Sequence, residues 1–384
     1  MTSLLMDKIF DVPQGRFQLQ RYPSDKKGLL RAWDAADEYL LSYLASECDP
    51  QSDAKILILN DSFGALALAL NKLTPDSMSD SIISQQATRQ NLAANNLPEN
   101  TIRFMNSLET PFGIYDFVLI KIPKTLALLE DQLFRLQKNM DQETRIIAAG
   151  MVKNLSKNAW NILEKLVGPT TTSLAKKKAR LIYVKPDQKK ALPPCPYPVY
   201  FQLEDTNYKI CSHANVFSRE KLDIGTRFLL KNLPFIASAE EIIDLGCGNG
   251  VVGLMLAETH PEATIHFVDE SYMAISSAKE TFRMAFGNTI KAIFHVNDAL
   301  TGFEHNISNL IVCNPPFHQQ HTIGSQIALR MFRQSHKVLK CGGELWVIGN
   351  RHLNYQHYLK KIFGQATLVA SNPKFMISKA ICEK

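Results

Sequence analysis

A chain of 384 residues, 45% hydrophobic and 21% charged, has the composition of a globular protein and length enough for two domains, each with a sizeable core. Its formal charge of +6, from 43 Lys and Arg against 37 Asp and Glu, favours a polyanionic partner only mildly. Seven cysteines without a CxxC pair or zinc-finger histidines argue against structural zinc and a secreted disulfide framework, and no apolar run approaches the ~20 residues that span a bilayer. With no basic-then-apolar leader in MTSLLMDKIFDVPQG, a soluble cytoplasmic protein, off the membrane, is expected.

In chain order, Lys55 to Leu59 (KILIL) is an apolar strand running into NDSFG, and the ALALAL that follows reads as a helix. Phe117 to Ile120 (FVLI) is a second strand, entering KIPK, and RIIAAG from Arg145 a third. VGPTTTSLAKKKARLI from Val167 reads as two closing strands around a turn. Lys176, Lys177, Lys178 and Arg180 in that stretch, with Lys185, Lys189 and Lys190 beyond it, form either a solvated face or a phosphate-binding surface for RNA. Lys185 to Tyr200, KPDQKKALPPCPYPVY, holds five prolines and is expected to be a stiff, extended linker. Domain limits of 1–184 and 201–384 around a linker at 185–200 follow.

In the second half, Phe217 to Leu230 is expected to supply a helix and turn over a ligand site. An apolar strand then ends on Asp244, and the next six residues hold Gly246, Gly248 and Gly250 before VVGLMLAE resumes as a helix. Strand, glycine turn and helix make a nucleotide-binding unit, since backbone without side chains can lie against a ligand. The spacing is GxGxG after an acid, with no Lys in the turn, so it is neither the dinucleotide nor the P-loop pattern. An Asp there repels phosphate but suits a ligand carrying an ammonium group, such as the methionine part of S-adenosylmethionine. One unit on, Thr264 to Val268 is a strand ending in Asp269 and Glu270, where a carboxylate can take both ribose hydroxyls. Asp298, after the strand Ala292 to Val296, can accept from an adenine amino group or simply end a strand in a turn.

Leu310 to Cys313 is a strand opening into Asn314, Pro315, Pro316 and Phe317. An amine on a base has its lone pair delocalised into the ring and attacks poorly until acceptors hold its hydrogens. The Asn314 side-chain oxygen and the Pro315 carbonyl can be those acceptors, the prolines stiffen the turn, and Phe317 offers a face on which an extruded base stacks. The chemistry expected is methyl transfer from sulfonium to nitrogen by alignment alone, with no metal. His318 and His321 in HQQH lack a third ligand, and a substrate-facing loop is expected there. Ile327 to Leu339 reads as an amphipathic helix stopped by Gly342 and Gly343, and Leu345 to Ile348 as a buried strand.

DLGCGNG, VDE at 268–270, NDAL at 297–300 and NPPFHQQH at 314–321, with HANVFSREKLDIGTRFLL before them, GNRHLNY after them and AWDAADEYLL in the first half, resemble class I S-adenosylmethionine-dependent methyltransferases of the ribosomal RNA guanine-N2 group. The resemblance spans nearly the whole chain. It implies N2-methylguanine as product and ribosomal RNA as partner, that of the large subunit (23S) first and of the small subunit (16S) second, free or in an assembling particle; a monomer is expected, though the residues leave the oligomeric state open. It further implies that Asp244, Gly246, Cys247, Gly248, Gly250, Asp269 and Asp298 hold S-adenosylmethionine, and that Asn314, Pro315, Pro316 and Phe317 present the guanine; from the residues themselves, His318 and the basic stretch are the candidates for RNA contact.

The halves also resemble each other. Six landmarks keep their order: Asp34 with Asp223, Gly64 with Gly250, Asp80 with Asp269, Pro123 with Pro315, RIIAAG with ELWVIGN, and the two closing hairpins. The fold expected is α/β, two tandem Rossmann-like domains, each a mostly parallel seven-stranded sheet with a closing antiparallel hairpin. The first copy is degenerate, because NDSFG and IPKT replace the glycine turn and NPPF, and it is expected to bind no cofactor and to serve as an RNA-holding scaffold. From the residues alone the conclusion stops at an amino methyltransferase. A protein-glutamine N5-methyltransferase and a non-catalytic RNA-binding scaffold are the rivals.

Overall fold

The computed structural model describes residues 8–23, 30–316 and 321–383, of which 321–325 are described by backbone alone. Two compact units divide the chain after Pro196. The first has strands β1 (Ile9–Val12), β2 (Gly15–Gln18), β3 (Ile56–Leu59), β4 (Asp76–Ser79), β5 (Arg103–Asn106), β6 (Phe117–Lys121), β7 (Arg145–Met151), β8 (Thr170–Thr172) and β9 (Ala179–Val184). No helix or strand occurs from 185 to 198. The second unit has β10 (Val199–Gln202), β11 (Lys209–Ser212), β12 (Glu241–Leu245), β13 (Thr264–Asp269), β14 (Ala292–Val296), β15 (Ser308–Cys313), β16 (Leu339–Asn350), β17 (Thr367–Ser371) and β18 (Phe375–Ile381).

Both sheets are seven-stranded and have one topology: β5-β4-β3-β6-β7-β9-β8 in the first unit and β14-β13-β12-β15-β16-β18-β17 in the second. Only the last two ladders of each are antiparallel, and a small hairpin, β1 with β2 or β10 with β11, precedes each sheet. Strands buried on both faces read as unbroken apolar runs because neighbouring residues feed opposite cores. Ile242, Ile265, Leu310 and Val312 pack on one side of the second sheet, and Ile243, Val268, Ile311 and Cys313 on the other. Ile56, Ile58 and Leu119 divide from Leu57, Leu59 and Ile120 in the same way in the first.

Strand register moves two of the expected pairings between copies by one residue. The Asn60 N–H donates to the Met78 carbonyl as the Gly246 N–H does to that of Val268, so Ser79 stands opposite Asp269, and Asp80 matches Glu270. Leu59 pairs with Ile120 and Leu245 with Cys313, so Lys121 answers Asn314, and Pro123 answers Pro316 rather than Pro315. The glycine pair Gly342 and Gly343 does not stop a helix. The helix His321–Val338 passes directly into β16, and Gly342, at φ 79°, lies inside that strand.

Candidate active site

The sheet order reverses between β12 and β15, and ligands of open α/β sheets bind in the crevice beyond the strand ends at such a point. Leu245 and Cys313 pair there, so the glycine turn and the Asn-Pro-Pro turn leave neighbouring strands side by side. A Cβ on Gly246 would stand 3.8 Å from the Asn314 carbonyl oxygen. Gly246, Gly248 and Gly250 have φ of 77°, 55° and 79°, the left-handed region that favours glycine. A Cβ on Gly248 would meet nothing within 4 Å, so this bend is open to a ligand rather than packed.

Asp269, half-buried at the end of β13, accepts from the Gly248 N–H at 3.0 Å through one oxygen and from the Ser271 N–H at 3.0 Å through the other. The acid is thereby fixed over the turn. Asp244 lies beneath it, only 3% exposed, with Oδ2 accepting from the Gly253 N–H at 2.8 Å. Burial pushes its carboxyl up to about 7, the negative Asp269 adds to the rise, and the Gly253 N–H opposes it. Cys247 is buried, its thiol pushed well above the usual range by burial and by Asp269 and Asp244, so it contributes backbone and no nucleophile.

Asp298 is buried more deeply than Asp244 or Asp269. It is fully buried, and its two oxygens take the two terminal nitrogens of Arg330, which comes from the helix after the Asn-Pro-Pro turn. A carboxylate at zero exposure needs such a partner, and sequence spacing does not reveal it.

On the acceptor side, Asn314 is partly buried, Pro315 buried and Pro316 exposed. The Asn314 amide donates through Nδ2 to the Thr226 hydroxyl at 3.2 Å. Its Oδ1 is buried and has no hydrogen-bond partner among the described residues. A buried amide oxygen left this way costs about 1–3 kcal/mol, which a ligand donor can recover. Phe317, His318, Gln319 and Gln320 lie outside the described residues, and His321 begins a helix rather than a loop. No group of three or more His, Cys, Asp and Glu suited to a metal occurs among the described residues.

The same places in the first unit are filled from within. Asp61 takes the N–H groups of Gly64, Ala65, Leu66 and Ala67 at 2.9–3.1 Å, so the helix start after β3 is capped by a side chain. Phe63, which by this register stands where the other copy has Asn249, lies under Arg21, 5.0 Å from the guanidinium to the ring centre. Lys121, where the other copy has Asn314, is held by Asp37 at 2.7 Å and Asp34 at 2.9 Å. Of the basic stretch, Lys177 pairs with Glu38 at 2.8 Å, Lys176 lies over the Tyr39 ring, Lys178 is exposed, and Arg180 lines a surface groove beside Lys157 and Trp160. Thr226 and Arg330 carried no signal in the sequence. Asp223 did, through its match to Asp34.

A seven-stranded sheet of this order, with a glycine turn, an acid at the next strand end and an Asn-Pro-Pro turn beside it, defines the class I methyltransferase fold. Residues 7–188 match the family model described as RLMG N-terminal domain, and residues 207–379 match Methyltransferase small domain. The chain is 43% identical to the Ribosomal RNA large subunit methyltransferase G of Streptomyces avermitilis, over 98% of this chain and all of that one. To the protein of that name from Aeromonas salmonicida it is 46% identical over 98% and 100% of the two chains. A solved T. thermophilus 16S rRNA N2 methyltransferase (RsmC), in complex with AdoMet and guanosine, is similar in fold, with a TM-score of 0.76, 20% identity and 99% of each chain covered. The chain belongs to the ribosomal RNA large subunit methyltransferase G family.

Proposed function

We propose that this chain methylates the exocyclic N2 amine of a guanine in large-subunit ribosomal RNA, with S-adenosylmethionine as donor, in the second unit alone. The observation that carries it is the buried Oδ1 of Asn314, without a hydrogen-bond partner among the described residues, on a turn that lies against Gly246. S-adenosylmethionine, when bound, supplies an electrophilic methyl on a positively charged sulfur. Gly246, Cys247, Gly248 and Gly250 give it a side-chain-free backbone, Asp269 a carboxylate for hydroxyls, and Asp244 a negative charge beneath the turn.

The chain's own part in the step is to hold hydrogens and exclude misalignment. Asn314 Oδ1 and the Pro315 carbonyl accept the two N–H bonds of the amine, which turns its lone pair out of conjugation and toward the methyl. Asn314 and Pro315 need only hold the amine in line with the donor's methyl, whose bonding electron pair would stay on sulfur as the methyl passes to the amine nitrogen. The methylated nitrogen, now strongly acidic, gives its extra proton to water. Amide and carbonyl oxygens are too weakly basic to be the final acceptor, so their role is orientation.

Asn314→Ala should lower kcat by about 10²–10³, the loss typical of one preorganised hydrogen-bond partner, with cofactor affinity nearly unchanged. Methyl transfer from labelled donor to total RNA, followed by nucleoside analysis, should place label in N2-methylguanine. Label in 6-methyladenine, in small-subunit RNA only, or in a protein glutamine would reject the assignment. The first unit is proposed to hold RNA through its basic stretch and to bind no donor.

A further inference from the structure

We infer that Thr226, itself oriented by Asp223, is a positioning residue that decides which edge of the Asn314 amide meets the substrate amine. This rests on the acceptor role proposed for Asn314. An amide is nearly symmetric in shape, so turning it by half a revolution exchanges oxygen for NH2 at almost no steric cost, and hydrogen bonding alone chooses.

One carboxylate favours this choice. Asp223, the N-cap of the helix Ile224–Leu230, accepts from the Thr226 N–H at 3.0 Å and from the Thr226 hydroxyl at 3.3 Å through the same oxygen. A hydroxyl has a single hydrogen, and an ionised carboxylate has none to give, so the hydroxyl hydrogen goes to Asp223 and only lone pairs face Asn314. Those lone pairs demand the Nδ2 edge, found at 3.2 Å, and Oδ1 is thereby turned to the acceptor side, where it has no other partner among the described residues. Turned the other way, the amide would set oxygen against oxygen at Thr226 and NH2 against the substrate amine. Thr226 is 7% exposed, so water cannot readily substitute for it.

The first unit supplies an independent comparison. Asp34 is the N-cap there, Asp37 stands three residues on as Thr226 does from Asp223, and Lys121 answers Asn314. All three positions are again joined, now by ion pairs at 2.7 and 2.9 Å. The contact between helix start and strand end survives, while its polarity has been exchanged as a set: Thr and Asn in the copy with an open turn, Asp and Lys in the copy whose turn is filled.

Thr226→Val keeps the shape and removes the acceptor. On the full-length enzyme it should lower kcat about 10–100-fold, the scale of loss from a misplaced group, with donor Kd and RNA KM changed less than threefold. Thr226→Ser should recover most of that rate. In a double-mutant cycle, Thr226→Val added to Asn314→Ala should cost no further rate, because nothing remains to be oriented. Should the valine variant unfold, Thr226→Ala gives the same comparison, with thermal unfolding run beside it. Independent, additive losses, or a fall in donor affinity equal to the fall in rate, would overturn the proposal in favour of a packing role. So would wild-type kcat in Thr226→Val while Asn314→Ala is impaired. If Asn314→Ala itself keeps full rate, the acceptor role fails, and Thr226 fails with it.

Discussion

Asp244 holds its proton to unusually high pH for a carboxyl, because burial under the glycine turn removes water from the charged form and Asp269 adds a second negative charge. Its folded value of about 7 lies above that of an unfolded chain, so folding retains a proton that the unfolded state loses. Below about pH 4 both states are protonated and the group is neutral to stability. Its contribution falls as pH rises from there toward 7, then levels off. A positively charged ligand above it reverses the preference and draws the proton off. Donor affinity should therefore tighten between about pH 5.5 and about pH 7.5, with proton release on binding, and Asp244→Asn should flatten that slope. Calorimetry in two buffers of different ionisation enthalpy measures both, and a donor Kd independent of pH in the wild type would show that Asp244 does not sense the ligand. At this scale the sequence revealed residues whose chemistry is unusual for their place, an acid ending an apolar strand or Asn before two prolines. It did not reveal Arg330 or Thr226, which are ordinary helix residues until the fold sets them against Asp298 and Asn314.

The glycines of the turn serve different ends, and substitution separates them. A Cβ on Gly250 would fall 2.8 Å from the Ala278 Cβ and 2.9 Å from its Cα, where packing against the helix Tyr272–Phe286 leaves no room. Gly64 is its counterpart, at φ 83° with the Thr88 Cγ2 2.7 Å from a built Cβ. Gly250→Ala combines that collision with the ~1–2 kcal/mol cost of left-handed backbone and should lower Tm by several degrees. Gly248→Ala carries only the backbone cost, so it should stay folded yet lose at least about tenfold in donor affinity, as its methyl occupies ligand space. Unfolding scans beside equilibrium dialysis decide this, and wild-type affinity in Gly248→Ala would remove the bend from the donor site. Positive φ leaves a compositional trace, so the turn was legible in advance. The junction at Val338 and Leu339 was not, because Gly342 and Gly343 look like a helix stop. In β16 they serve separate ends: Gly342 supplies a φ of 79° in open space, and a Cβ on Gly343 would stand 3.0 Å from the Ser308 carbonyl, beside the register shift between Ser308 and Leu310.

Across the whole chain, duplication was readable because strand and turn order outlast side-chain change, whereas the one-residue offsets at Ser79 and Lys121 were hidden by loops of unequal length and emerge only from ladder pairing. The offsets sharpen the contrast between copies: the first has Ser79 where the second has Asp269 and Lys121 where it has Asn314, and Asp61 fills its helix start. If the first unit binds no donor, as proposed, its fold is kept for another use, and the basic stretch between β8 and β9 is the candidate. Lys177 and Lys178 both have positive φ, which sets them at the tip of the connection between those strands. The Lys177 pair with Glu38 leaves its side chain 69% exposed, and an ion pair so open to water contributes little, so exchange of Glu38 for a phosphate is not opposed. Each phosphate contact releases condensed counterions and adds ~0.7–0.9 to the slope of log affinity against log salt. Lys177→Glu with Lys178→Glu should therefore weaken binding of ribosomal RNA and reduce that slope by about 1.5, while donor affinity in the second unit stays as in the wild type. Filter binding across a salt series reads the slope directly, and an unaltered slope would take the RNA-holding role away from this turn.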